Sequence, residues 1–246
     1  MVDDGPAPGV AGLFTRFALD LAAQRPGRPL VLLQAGCTTA GPELDLSVLR
    51  AHGHDLDVTM ADDETAASRA AVAGRPELRT AALGELRLLP LRPRSVDIVQ
   101  CSLLLHRVSD AEMLLGRLAA AVRPGGLLFL RLADPASAVG FLDRRLPAIL
   151  RAAAWRGTRR GTAGPHPARY EAVASARGIE AFASRHGLAI AHRGTASSPR
   201  ALTRPPLERV AVSLVARLSG GRLASDHDEL CYVIRRPEDR FARVLP

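Results

Sequence analysis

The chain has 246 residues, 47% hydrophobic and 24% charged, enough to bury one substantial core and too apolar for a disordered tail. Its apolar runs are broken by Arg, Pro or Gly well short of the roughly 20 residues that cross a bilayer, so no membrane span is expected. The formal net charge of +8 rests on arginine alone, because the sequence contains no lysine. Arg, Ala, Gly and Pro are abundant together, as GC-rich coding favours, so the basic balance by itself argues little for nucleic-acid binding.

Met1 to Ala11 contains Asp3, Asp4 and several Pro and Gly, without the basic start and apolar run of a secretion signal. Residues 1–11 are expected to form a flexible lead, and the protein to be cytoplasmic. Cys37, Cys101 and Cys231 are odd in number and far apart, which fits reduced thiols rather than a disulfide frame or a zinc site. His52, His54, His186, His192 and His227 show no ligand spacing, so no metal is expected.

Apolar periodicity predicts a helix from Leu13 to Leu21, stopped at Arg25-Pro26-Gly27. Leu30 to Leu33 reads as a strand running into the small-residue turn Ala35-Gly36-Cys37-Thr38-Thr39-Ala40-Gly41, with a helix over Leu44 to Leu49. Leu56 to Met60 is a second strand closing on Asp62 and Asp63, followed by an Ala-rich helix through Val72. Arg79 to Leu83 is a short third strand and Val96 to Cys101 a fourth. Ser109-Asp110-Ala111-Glu112 has the spacing of a capping box and predicts the start of a helix that Arg123-Pro124-Gly125-Gly126 ends. Leu127 to Leu132 is a fifth strand. Further on, Gly178 to His186 reads as helix, Leu188 to His192 as strand, Leu207 to Leu218 as helix and Leu230 to Arg235 as strand. Strands alternating with helices predict a parallel sheet covered on both faces.

The succession Val31-Leu32-Leu33-Gln34-Ala35-Gly36-Cys37, Asp62, Gly84-Glu85, Leu89-Pro90-Leu91, Ser95-Val96-Asp97-Ile98-Val99, Leu104-Leu105-His106 and Val122-Arg123-Pro124-Gly125-Gly126 carries the next step. In order and spacing it resembles the motif series of class I S-adenosylmethionine (SAM)-dependent methyltransferases, from about Pro29 to Pro135. The resemblance implies an α/β, Rossmann-like fold with a seven-stranded, mostly parallel sheet, helices on both faces, and the last strand inserted antiparallel. It implies one domain over 1–246: a cofactor-binding core at 30–135, a basic cap or substrate segment at 136–177, and C-terminal strands and helices at 178–246.

A glycine turn after the first strand lets backbone approach a ligand, which is the role expected of Gly36 with Cys37. An acid after the second strand can accept hydrogen bonds from ribose hydroxyls; Asp62 is the aligned residue and Asp63 the alternative to it. By resemblance, Glu85 meets the adenine amino group, Leu86 adds backbone or packing, and Ser102 completes the cofactor set. The turn departs from the family's Asp-x-Gly-x-Gly-x-Gly pattern. Gln34 stands in place of the acid, one glycine is kept, and Thr38 and Ala40 add Cβ atoms.

His106, just past the fourth strand, is the candidate general base. Asp97 is expected to satisfy backbone rather than to catalyse. Between Phe141 and Tyr170 seven arginines face Asp143 alone. That stretch is either a partly amphipathic cover over a substrate cleft, a contact for lipid head groups or RNA phosphates, or a solvated face. His166 and Tyr170 are candidate substrate contacts. The implied activity is transfer of the SAM methyl group to an O, N or C nucleophile of a small molecule. The Pro-rich catalytic tetrapeptides of nucleic-acid enzymes are missing, although the basic segment leaves such a partner open. Because of the lost glycines, the alternative is a methyltransferase-like fold that serves as a catalytically inactive binding or partner protein.

Overall fold

The structure is a computed structural model and describes residues 9–36, 44–145, 147, 169–198 and 206–238. The elements in chain order are α1 (Val10–Ala23), β1 (Leu30–Ala35), α2 (Leu46–Ala51), β2 (Leu56–Asp62), α3 (Ala66–Ala73), β3 (Leu78–Leu83) and β4 (Val96–Ser102). They continue with α4 (Ala111–Ala121), β5 (Val122–Ala133), α5 (Ala138–Arg145), α6 (Ala176–Arg185), β6 (Ala189–Ala196), α7 (Pro206–Leu218) and β7 (Glu229–Arg235).

The described strands form one seven-stranded sheet in the order β3-β2-β1-β4-β5-β7-β6. The pairs from β3 through β5 are parallel, and β7 runs antiparallel between β5 and β6. Buried runs on both faces explain why β1, β4 and β5 read as continuous apolar stretches instead of alternating ones. One face packs Leu32, Ile98 and Phe129 against Phe14, Leu21 and Leu49 from α1 and α2, with Phe14 stacked on Phe129 at 4.7 Å. The other packs Leu33, Val99, Leu128 and Tyr232 against Leu114, Leu118, Ile179 and Phe182 from α4 and α6. Burying each such side chain contributes about 1.5–3 kcal/mol.

The structure differs from the sequence reading at three places. Helix α1 already begins at Val10, inside the expected lead, because its apolar stripe starts there. Strand β5 begins at Val122, five residues earlier than the apolar run. Val122 pairs with Val96 before the register shifts, and Leu127 then pairs with Ile98. Gly125, at φ 75°, and Gly126 make this detour possible. A Cβ on Gly126 would lie 2.6 Å from the Asp97 carbonyl oxygen. The capping box is not formed either. Asp110 takes the N-cap position of α4 in the left-handed region and gives no side-chain cap bond, while Glu112 pairs with Arg185 at 2.8 Å.

At the amino edge of the sheet the fully buried Asp97 carboxylate joins three connections. It accepts from Arg25, from Arg28 at 3.0 Å, from Arg123 at 2.7 Å and from the Val31 amide at 3.0 Å. Its expected structural role is what the structure displays. Asp97→Ala leaves three guanidinium groups facing one another, and urea denaturation is expected to register a loss of about 3–5 kcal/mol. The opposite sign is expected at Tyr232, whose buried hydroxyl has no hydrogen-bond partner among the described residues. Tyr232→Phe should leave the denaturation midpoint unchanged or raise it, by up to about 1 kcal/mol.

Candidate functional site

The carboxyl ends of β1, β2, β3 and β4 meet at the edge opposite Asp97. Beyond Ala35 the backbone turns at Gly36 with φ 73°, and the Gly36 amide donates to the Ala61 carbonyl at 3.0 Å. A Cβ at this position would lie 2.8 Å from the Leu104 side chain. Conformation and space therefore both require glycine here. Gln34, one turn of the pleat earlier, uses its amide oxygen to accept from Arg75 at 2.7 Å.

Asp62 ends β2 with its side chain buried, and its Oδ1 accepts the Asp63 amide at 2.9 Å. Its carbonyl accepts the Gly84 amide at 3.1 Å, which ties the end of β2 to that of β3. Asp63 reinforces the tie, because its Oδ1 accepts the Leu86 amide at 3.1 Å. Leu86 itself is buried. Glu85 lies exposed on the rim, paired with Arg87, which also reaches Asp110 at 2.6 Å.

These residues surround a cleft of about 210 Å³. Asp62, Asp63, Glu85 and Leu86 line one side, and Leu104, Arg107, Val108 and Arg169 line the other. Ser102 is buried at the end of β4, where its Oγ accepts from Gln100 at 3.4 Å; it does not line the cleft. The arrangement offers carboxylates for hydroxyl groups on one wall, an apolar shoulder at Leu104, and two guanidinium groups on the other wall.

His106 is 1% exposed. Its ring lies 5.3 Å from the Tyr170 ring, so the structure brings together two candidates that stand far apart in the sequence. Tyr170 donates its hydroxyl to Asp143 at 3.0 Å, and Arg107 stands 3.7 Å from the same carboxylate oxygen. Burial and, secondly, the Asp143 charge push the Tyr170 phenol well above its ordinary range, so it stays a neutral donor. Cys37, Thr38, Ala40, Gly41 and His166 lie outside the described residues.

Sequence reasoning missed Arg107 and Arg169 as cleft residues. Arg107 follows the singled-out His106 directly, and Arg169 stood among seven equivalent arginines, so pattern alone did not separate it. No group of three or more His, Cys, Asp or Glu side chains among the described residues is placed to hold a metal ion. No helix among them is long and apolar enough to cross a membrane.

This sheet order with an antiparallel β7, the glycine turn after β1 and the acid ending β2 define the class I SAM-dependent methyltransferase fold. Residues 33–130 match the methyltransferase domain family, and the chain shares the fold of class I SAM-dependent methyltransferases. It is similar to the YcgJ protein from Bacillus subtilis, with TM-score 0.54 and 16% identity over 94% of this chain and 99% of that one. It is also similar to a loganic acid methyltransferase solved with S-adenosylhomocysteine (SAH), with TM-score 0.58 and 11% identity over 94% and 92% of the two chains. An S-adenosylmethionine-dependent methyltransferase from Mesorhizobium loti aligns with TM-score 0.50 and 20% identity over 89% and 96%. No curated protein matches by sequence.

The Asp63 tie gives a direct test. Asp63→Ala removes the acceptor of the part-buried Leu86 amide, and urea denaturation at neutral pH should show a loss of about 1–3 kcal/mol. Asp63→Asn keeps an oxygen in that place and should lose less.

Proposed function

We propose that this protein transfers the methyl group of SAM to an O, N or C nucleophile of a small molecule. The observation that carries the reading is the cleft at the carboxyl edge of the sheet, where Asp62 and Asp63 stand beside the Gly36 turn under Leu104. Ligands of open α/β sheets bind outside the carboxyl ends of the strands, and an acid closing the second strand suits a ribose diol. The lining fits a nucleoside: carboxylate acceptors on one wall, and apolar surface at Leu86 and Leu104.

When bound, SAM supplies an electrophilic methyl group on a sulfonium with its own leaving group. The chain's part is alignment and exclusion of water. In this reading Asp62 and Asp63 hold the ribose, Glu85 and Leu86 flank the base, and Gly36 with Cys37 borders the remainder of the cofactor, while the buried Ser102 supports the end of β4 behind it. His106 takes the acceptor's proton where the acceptor has one to lose, and Tyr170 and His166 contact the acceptor. Because His106 is buried against Tyr170, its imidazole reaches an acceptor only as the Tyr170 ring yields. Buried, unbridged Cys101 and Cys231 suit a cytoplasmic setting.

Isothermal titration with SAM and SAH tests the reading. Heat is expected with both ligands, and Asp62→Ala should weaken binding by about 1–3 kcal/mol through lost hydrogen bonds. Absence of heat and of a thermal shift at millimolar ligand would leave the architecture without this activity.

A further inference from the structure

Helix α4 starts without any cap from its own neighbourhood. The Asp110 side chain turns to Arg87 and gives the helix no cap bond, and its φ is 56°. The missing acceptors come from far along the chain. Glu171 Oε1 accepts the Asp110 amide at 2.7 Å, and Glu171 Oε2 accepts the Ala111 amide at 2.8 Å. A carboxylate is favoured there by the partial positive charge of the helix end.

The two preceding residues are attached to the same loop. The amides of Arg169 and Tyr170 both donate to the His106 carbonyl, at 2.9 and 3.1 Å. Residues 169–171 thus hold the 106–111 loop by four hydrogen bonds. Between these anchors Tyr170 is held at φ 48°, a left-handed conformation that is strained for an L-residue. The contacts on either side must offset that strain. In this conformation the Tyr170 ring faces His106, its hydroxyl reaches Asp143, and the Arg144 guanidinium lies 5.7 Å from its centre.

We infer that Glu171 is a positioning residue for the acceptor site: by capping α4 it holds Tyr170 against His106. The inference rests on the methyltransferase reading of the site. The carboxylate of Glu171 bonds the Asp110 and Ala111 amides, so it acts by placing its neighbour Tyr170 and the 106–111 loop.

The experiment uses the full chain, in which Tyr170 and Tyr232 are the two tyrosines. Tyr232→Phe protein labelled with 3-fluorotyrosine reports Tyr170 as a single fluorine resonance. In this parent the resonance is expected to be displaced from its position in urea, and the phenol to stay protonated beyond the ordinary value of free 3-fluorotyrosine, which the ring fluorine sets below that of tyrosine. In Glu171→Ala the resonance should move to the position found in urea and the phenol should titrate near its ordinary value. Glu171→Gln, which keeps the shape and one acceptor, should fall between the two and decides the matter if the alanine variant does not fold. SAH affinity should change by less than about threefold in either variant, a shift of about 0.65 kcal/mol.

An unmoved Tyr170 resonance in a folded variant overturns the inference. So does a loss of SAH affinity above about tenfold, which would put Glu171 in the cofactor site. Failure of the parent to bind SAH removes the methyltransferase reading instead, and the fluorine measurement still judges whether Glu171 places Tyr170.

Discussion

One buried carboxylate sets the geometry from which the cleft follows. Asp97 sits where β4 begins, and its three arginine partners come from the α1–β1 connection and the start of β5. A desolvated charge of this kind adds little net stability over an apolar core, but it tolerates few alternative arrangements. By accepting the Val31 amide it also levels β1 against β4. From that start the parallel register carries Ala35 opposite Cys101 at the far edge. Gly36 then meets Leu104, and the acid at the end of β2 comes alongside. The distance between the pin and the cleft is an advantage, since the cleft side chains need not hold the sheet together.

The absence of lysine bears on this arrangement. Guanidinium groups have planar forks and are less strongly hydrated than an ammonium, so several can share one buried carboxylate without each demanding its own water shell. Arg25 illustrates the point by reaching both Asp97 and the Pro124 carbonyl. Burial lowers the Arg25 pKa, with the neighbouring Arg28 and Arg123 acting in the same direction and Asp97 opposing them. A composition that looks like a nucleic-acid signal is here used partly as internal wiring. Arg131 with Glu229 and Arg75 with Gln34 are further cases.

Most elements were legible in the sequence because their determinants are local. Apolar runs gave the strands, the Arg25-Pro26-Gly27 stop ended α1 to within two residues, and the acids after Met60 marked the end of β2. The early start of β5 was hidden, since Pro124, Gly125 and Gly126 read as a helix stop while tertiary pairing of Val122 with Val96 made them strand. The Ser109 to Glu112 pattern misled for a related reason. A better acceptor, Glu171, arrives from sixty residues away, and local propensity carries no trace of it. Of the site, the β2 acids and Gly36 were legible by order and spacing. The junction of His106 with Tyr170 was not, because each was singled out separately and the contact depends on how residues 169–171 return.

That contrast separates the two halves of the cleft physically. The Asp62 and Asp63 side is built from consecutive strand ends, fixed by amide bonds between β2 and the turn after β3. Opening it would cost paired backbone within the sheet. The His106 side is closed by a short segment held through two amides on one carbonyl and one carboxylate on a helix end, with a strained residue between them. Charge at an accessible helix terminus is worth roughly 0.3–1 kcal/mol, and the left-handed Tyr170 takes back about 1–2 kcal/mol. The first half is therefore tied into the sheet, whereas the second depends on a few bonds outside it. In the proposed function the methyl donor lies against the strand-end wall, and the acceptor against the wall held by fewer bonds.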